Sequence, residues 1–235
     1  MNHADRDERY MEECLNLARR GIGRVSPNPL VGAVIVKGNR VIGRGYHREF
    51  GDAHAEIRAI KNAKGNLAGA TLYVNLEPCS HFGKTPPCTE AIISLGFQRV
   101  VVGMIDPNPL VQGRGVRTLK SAGIEVTVGV LAKECRRLNE FFLKKTRTGL
   151  PFVAIKVAQT LDGKISQPDR RSQWITSRES RKYVHQLRSE YDAVLIGANT
   201  ARLDDPRLTV RLAKGRNPKR ILLDASLSTP LSSRL

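Results

Sequence analysis

Apolar and polar residues alternate along the first part of the chain so that helices and strands are predicted in turn. Residues 7–20 carry apolar side chains at helical spacing and predict an amphipathic helix. Two β-type runs, 31–36 and 41–46, flank a short polar turn and predict a hairpin. Further helices are predicted at 53–63 (with Asp52 as N-cap), 88–95, 115–122 and 131–146, and strands at 70–76, 99–104 and 124–128. This order predicts an α/β layer fold with a mixed sheet.

A second α/β pattern begins after the segment Arg-Thr-Gly-Leu-Pro at 147–151. The pattern predicts strands at 152–158, 193–197 and 219–224, and a helix at 177–188. We therefore expect two domains, residues 1–147 and residues 148–235.

The composition is that of an ordinary globular protein. Apolar residues are 40% and charged residues 26% of the 235, which argues against a disordered, collagen-like or coiled-coil chain. No apolar run approaches the roughly 18 residues that a membrane span needs. The first residues are rich in acidic side chains, unlike a secretory signal or a transit peptide, so we expect the cytoplasm.

The net charge of +17 invites a nucleic-acid interpretation. The excess of Lys and Arg is, however, spread over both predicted domains rather than concentrated in one arm. We interpret it as solvated surface charge together with sites for anionic small molecules, and expect neither nucleic acid nor a membrane as partner.

Two glycine-containing segments fail as phosphate-binding loops. Residues 21–26 lack the third glycine of the dinucleotide motif and follow a helix where that motif needs a strand. Residues 83–85, Gly-Lys-Thr, resemble the end of a P-loop, but Pro78 stands where the first glycine belongs.

Three residues suited to a catalytic zinc occur in order along the chain. His54 and Glu56 open a predicted helix, Cys79 follows a predicted strand, and Cys88 opens the next predicted helix. One imidazole and two thiolates suit Zn²⁺, and three protein ligands leave the fourth position for water, as in catalytic sites. The offset of Glu56 from the histidine allows it to lie beside the metal and move protons.

The spacing of the two cysteines departs from the short signature of zinc deaminases. That signature is H-x-E…P-C-x-x-C, whereas residues 80–87 separate Cys79 from Cys88 here. Taken singly, such a histidine is commonly a cap and such cysteines are commonly core thiols, but their order and the nearby carboxylate favour the metal site. Cys14 and Cys135 are expected to be structural.

The chain resembles a known family of bacterial riboflavin-biosynthesis proteins, in which a pyrimidine deaminase is fused to a reductase. The resemblance is carried by segments 27–32, 43–47, 54–56, 76–88, 106–109, 113–115, 156–164, 172–176 and 204–211. The long loop between the cysteines is typical of this family. The resemblance implies a cytidine-deaminase-like three-layer α/β/α domain followed by a partial dihydrofolate-reductase-like α/β domain.

The resemblance also implies an activity and the residues that serve it. The reaction is hydrolytic deamination of 2,5-diamino-6-(5-phosphoribosylamino)pyrimidin-4(3H)-one to 5-amino-6-(5-phosphoribosylamino)uracil, followed by NADPH-dependent reduction of the ribose. Zinc is bound by His54, Cys79 and Cys88, with Glu56 as proton shuttle. Substrate contacts in the deaminase are Asn28, His47, His81, Lys84, Asp106 and Asn108.

In the second part the resemblance implies a cofactor site and a substrate site. Residues near NADPH are Ala158, Trp174, Thr200 and Asp204. Residues that contact the phosphorylated sugar are Ser172, Arg188, Leu208 and Arg211. The family's reductase continues past residue 235, so we expect deaminase chemistry with little or no reductase activity. Members of the family associate, so we expect a homo-oligomer.

Two alternatives stay open on the residues alone. A deaminase acting on a base in RNA would show salt-sensitive RNA binding and base conversion in a transcript. A non-enzymatic zinc-stabilised interaction module would unfold on chelation yet keep its role in Glu56→Ala.

Overall fold

The computed structural model describes residues 3–81, 86–109, 111–166 and 174–235. They divide into two compact units, one ending at Phe152 and the other beginning at Val153. Among these described residues, no helix is long and apolar enough to cross a membrane.

A five-stranded mixed sheet forms the centre of the first unit. Its strands are β1 (Gly32–Lys37), β2 (Arg40–Tyr46), β3 (Thr71–Val74), β4 (Arg99–Val102) and β5 (Glu125–Val128). They lie in the order β2-β1-β3-β4-β5, with β1 antiparallel to both its neighbours and β3, β4 and β5 parallel. The predicted hairpin and the mixed sheet are therefore present. Side chains of β1, β3 and β4 are buried on both faces, as expected of central strands.

Helices cover both faces of this sheet. They are α1 (His3–Arg19), α2 (Ala55–Lys61), α3 (Cys88–Ser94), α4 (Arg114–Ser121), α5 (Ala132–Leu138) and α6 (Glu140–Thr148). Helix α1 packs on β1 and β3 and contacts α5, whereas α2, α3 and α4 cover the opposite face. The first unit thus has three layers, α/β/α.

Two glycines allow helices to approach the sheet closely. A Cβ on Gly32 would lie 2.1 Å from the carbonyl oxygen of Cys14 in α1, and a Cβ on Gly45 would lie 2.2 Å from that of Ala55 in α2. Any larger residue at either position would push its helix away from the sheet. The placement of α2, which carries Glu56, depends on Gly45.

The prediction of one helix over 131–146 is wrong, because the chain forms α5 and α6 with a break at Asn139. The Asn139 Oδ1 accepts a hydrogen bond from Leu30 N at 2.7 Å, and its Nδ2 donates to Leu30 O at 3.0 Å. This tertiary contact fixes Asn139 in a backbone conformation, φ −105° and ψ 21°, at which the helix is interrupted.

The prediction that Asp52 caps α2 is also wrong. The N-cap is His54, which makes no side-chain capping bond. Asp52 instead accepts a hydrogen bond from Ala53 N and pairs with Arg58. The His54 side chain is thereby left to face the sulfurs described below.

The first unit extends a few residues past the predicted boundary at 147. Helix α6 ends at Thr148, and Gly149 follows in the left-handed conformation at φ 70°. The ring of Phe152 then packs against that of Phe141 with centroids 4.7 Å apart. This aromatic contact holds the end of the segment against α6.

The described part of the second unit contains a pair of parallel strands and two helices. Its elements are α7 (Arg178–Glu190), β6 (Ala193–Gly197), α8 (Ala198–Asp204) and β7 (Lys219–Leu223). Ser177 caps α7 by accepting a hydrogen bond from Ser180 N at 3.2 Å. Helix α8 was not predicted, because its seven residues carry no clear apolar stripe.

The predicted strand at 152–158 is not formed. Val153, Ile155 and Val157 show the alternation typical of a strand, but their side chains are exposed. A strand requires a neighbour to complete its hydrogen bonds, and no strand in the described part of the second unit pairs with this segment.

Candidate active site

Three potential metal ligands converge beside the carboxyl end of β3. His54 Nδ1 lies 3.5 Å from Cys79 Sγ and 3.3 Å from Cys88 Sγ, and the three atoms are all within 4.8 Å of one another. Ligand atoms at about 2.0–2.3 Å from a tetrahedral zinc lie about 3.5 Å apart. The three side chains therefore fit a zinc ion in both their chemistry and their spacing.

The local fold explains why these side chains meet. Cys79 follows β3, while His54 and Cys88 stand at the first turns of α2 and α3. The backbone N–H of Cys88 donates to Cys79 Sγ at 3.3 Å, and Thr89 N donates to Cys79 O at 3.2 Å. These bonds attach the start of α3 to Cys79. The backbone N–H groups at the start of α3 favour a thiolate at Cys79.

Hydrogen bonds within the cluster shift the pKa values of two of the potential ligands. The hydrogen bond with Cys79 raises the pKa of His54 to about 9. The hydrogen bond from Cys88 lowers the pKa of Cys79 and the bond with His54 acts in the same direction, although burial opposes both. A lowered pKa favours the thiolate, which is the form of cysteine that binds zinc.

Glu56 lies in the first turn of α2 and is buried beside the cluster. Burial raises the pKa of its carboxyl, whereas the neighbouring His54 and a hydrogen bond from Cys88 act in the opposite direction. A carboxyl with a raised pKa can both accept and donate a proton near neutral pH. The structure therefore places Glu56 where the sequence predicted a proton shuttle.

Asn28 and His47 are brought together next to the cluster. The Asn28 Nδ2 lies 3.0 Å from His47 Nε2, and His47 Nδ1 lies 3.3 Å from the carbonyl oxygen of Ala53. Because a carbonyl only accepts, Nδ1 carries the proton and Nε2 accepts from the amide. Burial lowers the pKa of His47, which favours this neutral form. Its ring lies edge-on to that of His54, with centroids 6.1 Å apart.

Asp106, Asn108 and His81 form a second group of predicted substrate contacts. The Asp106 Oδ1 accepts a hydrogen bond from Asn108 N at 2.8 Å and so closes a tight turn. Burial raises the pKa of Asp106, an effect partly offset by the nearby His81. His81 itself is exposed, and Lys84 lies outside the described residues.

Glu77 is a functional candidate that the sequence analysis missed. Its buried carboxylate accepts hydrogen bonds from the backbone N–H groups of three residues: Asp106 at 3.1 Å, Gly113 at 2.9 Å and Val116 at 3.1 Å. It thereby holds the 106–116 segment against the strand end that carries Cys79. The one feature of the sequence that could have identified Glu77 is its position as a charged residue directly after a predicted apolar strand.

Two buried asparagines, also missed, fix the loop that carries Asn28. The Asn75 Oδ1 accepts from Gly32 N at 2.8 Å, and its Nδ2 donates to Leu30 O at 2.9 Å. Asn139 binds the N–H and C=O of Leu30 as described above. Both amides satisfy backbone groups just before β1, so they position the loop rather than contact the cluster.

Both parts of the chain are similar to known protein families. One family model, the cytidine and deoxycytidylate deaminase zinc-binding region, matches residues 4–104, and another, the RibD C-terminal domain, matches residues 151–235. The solved structure of Acinetobacter baumannii RibD, form 1, superimposes with a TM-score of 0.92 at 42% identity, covering 99% of this chain and 67% of that one. The chain belongs to the RibD family.

Other RibD proteins are more similar in sequence. The riboflavin biosynthesis protein RibD of Synechocystis sp. is 52% identical over 229 residues, covering 97% of this chain and 62% of that protein. The RibD of Aquifex aeolicus is 52% identical over 230 residues, covering 97% of this chain and 65% of that protein. The Thermotoga maritima deaminase/reductase structure matches at 50% identity and a TM-score of 0.92, covering 96% of this chain and 65% of that chain. The chain thus spans less than two thirds of these relatives.

The RibD relationship confirms two predictions. The fold is a cytidine-deaminase-like domain followed by the RibD C-terminal region, which is the predicted dihydrofolate-reductase-like part. Zinc is the predicted metal, and the matched family region is described as zinc-binding and includes the His54, Cys79 and Cys88 cluster.

The RibD C-terminal region brings together Arg188 and Arg211, two of its predicted substrate residues. Both guanidinium groups donate to the carbonyl oxygen of Thr209, at 3.4 Å and 3.3 Å. Burial and the charge of Arg211 lower the pKa of Arg188. Leu208 is buried beside them with φ 51°. Ser172 lies outside the described residues.

The four predicted cofactor residues share no such hydrogen-bond partner among the described residues. Trp174 is 78% exposed, and the Arg181 guanidinium lies 4.1 Å above its ring. Thr200 and Asp204 are exposed on α8, and Ala158 lies in the segment without a strand. Among the residues that the structure describes, no hydrogen bond or ring contact joins these four.

Proposed function

We propose that the first unit is a zinc-dependent deaminase that converts 2,5-diamino-6-(5-phosphoribosylamino)pyrimidin-4(3H)-one to 5-amino-6-(5-phosphoribosylamino)uracil in riboflavin biosynthesis. One observation carries the proposal: His54, Cys79 and Cys88 converge within 4.8 Å, and the buried Glu56 lies beside them. The names of the RibD relatives support the pathway, and the Thermotoga maritima enzyme is described as this deaminase joined to a reductase.

His54, Cys79 and Cys88 would hold the zinc. Zinc with three protein ligands supplies a water of lowered pKa, which is a nucleophile at neutral pH. The Glu56 carboxylate takes a proton from the water that adds to C2 of the ring, and then gives a proton to the exocyclic amine, which leaves as ammonia. Water is consumed and the ring amine is replaced by oxygen, without a redox change.

Asn28 and His47 bind the pyrimidine edge in this proposal. The Asn28 amide uses one N–H on His47, which leaves its other N–H and its Oδ1 to match a donor and an acceptor on the ring. The neutral His47 holds this amide in one orientation. The remaining substrate contacts proposed are His81, Lys84, Asp106 and Asn108, with Lys84 as the cation for the phosphate.

Ammonia release from the diaminopyrimidine substrate tests the deaminase. We expect Glu56→Gln to lower kcat by about 10²–10⁴-fold, because proton transfer is lost while the shape of the side chain is kept. Bound zinc should be unchanged, since Glu56 is not a ligand. The matched control is Glu90→Gln, an exposed carboxylate in the first turn of α3, which should release ammonia at the rate of the wild type. Undiminished release by Glu56→Gln would contradict the mechanism.

For the second unit we propose a role in NADPH-dependent reduction of the ribose. Ala158, Trp174, Thr200 and Asp204 would lie near the cofactor, and Ser172, Arg188, Leu208 and Arg211 near the phosphorylated sugar. The shared position of Arg188 and Arg211 supports this, because two guanidinium forks suit one phosphate. NADPH oxidation with the deaminated product tests it. A cytoplasmic location and a homo-oligomeric state stay predictions.

A further inference from the structure

A positively charged cavity lies in the first unit, where the end of α1, β2 and α2 meet. It has a volume of about 230 Å³, and four arginines surround Tyr46 in its wall: Arg20, Arg44, Arg48 and Arg58. None of the four belongs to the residues proposed above for zinc, substrate or cofactor. The cavity therefore needs an explanation of its own.

The positive charges of this cavity are only partly neutralised. Arg44 pairs with Glu13, and Arg58 pairs with Asp52. Arg20 and Arg48 contact the Tyr46 ring instead, with their guanidinium carbons 4.9 Å and 5.8 Å from its centroid. Neither has a carboxylate partner among the described residues, so two guanidinium charges in the wall stay uncompensated.

One donor nitrogen of Arg58 is not available to a ligand in the cavity. The Nε of Arg58 is inaccessible to solvent and has no acceptor among the residues that the structure describes. Solvent does not reach this atom, so an occupant of the cavity would not bind it, and the binding surface is formed by the arginine side chains that solvent does reach. The uncompensated charges of Arg20 and Arg48 indicate that a ligand of these side chains is negatively charged.

We propose that this cavity binds the phosphate or pyrophosphate group of a small anionic ligand. Guanidinium forks match phosphate oxygens in pairs, and Tyr46 holds Arg20 and Arg48 in place by ring–cation contact. The volume is below the 300–1,000 Å³ or so that typically encloses a drug-sized ligand. The cavity thus accommodates a phosphate-bearing group and not a whole nucleotide.

Calorimetric titration of the zinc-loaded chain with inorganic pyrophosphate at constant ionic strength tests the site. We expect Arg20→Gln combined with Arg48→Gln to weaken binding at least tenfold. Any chelation of zinc by pyrophosphate contributes equally to wild type and variants. Binding by this double variant at wild-type affinity would overturn the proposal.

Two other arginine pairs serve as controls. One tests the effect of removing surface charge, and the other tests the arginine pair proposed to bind phosphate in the second unit. Arg136→Gln with Arg137→Gln removes two exposed charges from α5 and should leave the affinity unchanged. Arg188→Gln with Arg211→Gln should still bind pyrophosphate in the first unit. Loss of pyrophosphate binding in this pair alone would assign the binding to the second unit and overturn the proposal.

A conservative variant keeps the test decisive if the Gln variant is unstable. Arg20→Lys with Arg48→Lys preserves charge but removes the paired guanidinium donors. We expect binding several-fold weaker than the wild type with an unchanged unfolding midpoint. Equal affinity in this variant would show that the guanidinium geometry is not used and would also overturn the proposal.

Discussion

Glu77 should be the carboxylate on which the placement of the 106–116 segment depends. Its two oxygens accept three backbone N–H groups at 2.9–3.1 Å, and all three belong to that segment. In Glu77→Gln, one oxygen becomes an NH₂ group, which cannot accept a hydrogen bond. The smallest loss is then the single bond to Val116, with the amide oxygen kept on Asp106 and Gly113.

The cost follows from the burial of these donors. A buried donor left without an acceptor costs about 1–3 kcal/mol, so Glu77→Gln should lower the free energy of unfolding by about that amount. Glu77→Ala leaves all three donors without an acceptor and should lower the free energy of unfolding by about 3–9 kcal/mol on the same basis. That range overlaps the whole stability of an ordinary domain, about 5–15 kcal/mol, which makes Gln the informative variant.

Urea unfolding followed by far-ultraviolet circular dichroism measures this cost. The exposed Glu90→Gln serves as the control and should stay within about 0.5 kcal/mol of the wild type. In ammonia release, Glu77→Gln should raise KM, because the segment that carries Asp106 is held by one hydrogen bond fewer. A Glu77→Gln variant as stable as Glu90→Gln would refute this assignment of Glu77.

Three further predictions concern other parts of the first unit. Burial raises the pKa of Asp7, but hydrogen bonds from Arg99 and Tyr73 outweigh it and leave the pKa below 3.8. The stabilisation by Asp7 is therefore complete above pH 3.8 and is lost as the pH falls through the lowered pKa. Asp7→Asn should be about 3 kcal/mol less stable than the wild type at pH 7. When unfolding is measured from pH 5 to pH 2, this variant should lose less stability than the wild type. Asn139→Ala removes two hydrogen bonds to the loop before β1 and should cost about 1–3 kcal/mol in urea unfolding, with a raised KM. Cys88→Ser should lose zinc on dialysis against a weak chelator, whereas Cys135→Ser, a buried thiol outside the cluster, should retain it in elemental analysis.

The residues proposed for zinc binding and proton transfer could be identified in the sequence because their types are restricted. His54, Glu56, Cys79 and Cys88 were identified in the sequence since few residue types ligate zinc or move protons, and the structure brings them together. The alternation of helices and strands likewise predicted the order of elements in the first unit.

The residues that position this chemistry could not be predicted in the same way. Asn139 binds the backbone of Leu30 across 109 positions of sequence, and Glu77 binds Gly113 across 36. Such bonds depend on which backbone groups the finished fold leaves unpaired, and a local pattern holds no information about that. The break at Asn139 and the missing strand at 152–158 have the same origin, because in both a tertiary partner decides the local structure.

The most direct test of the central claim is ammonia release measured on one preparation before zinc removal, after it, and after zinc is restored. The account predicts one zinc per chain, loss of ammonia release with the metal, and recovery of both when zinc is added back. Ammonia release that persists in the zinc-free chain would contradict it.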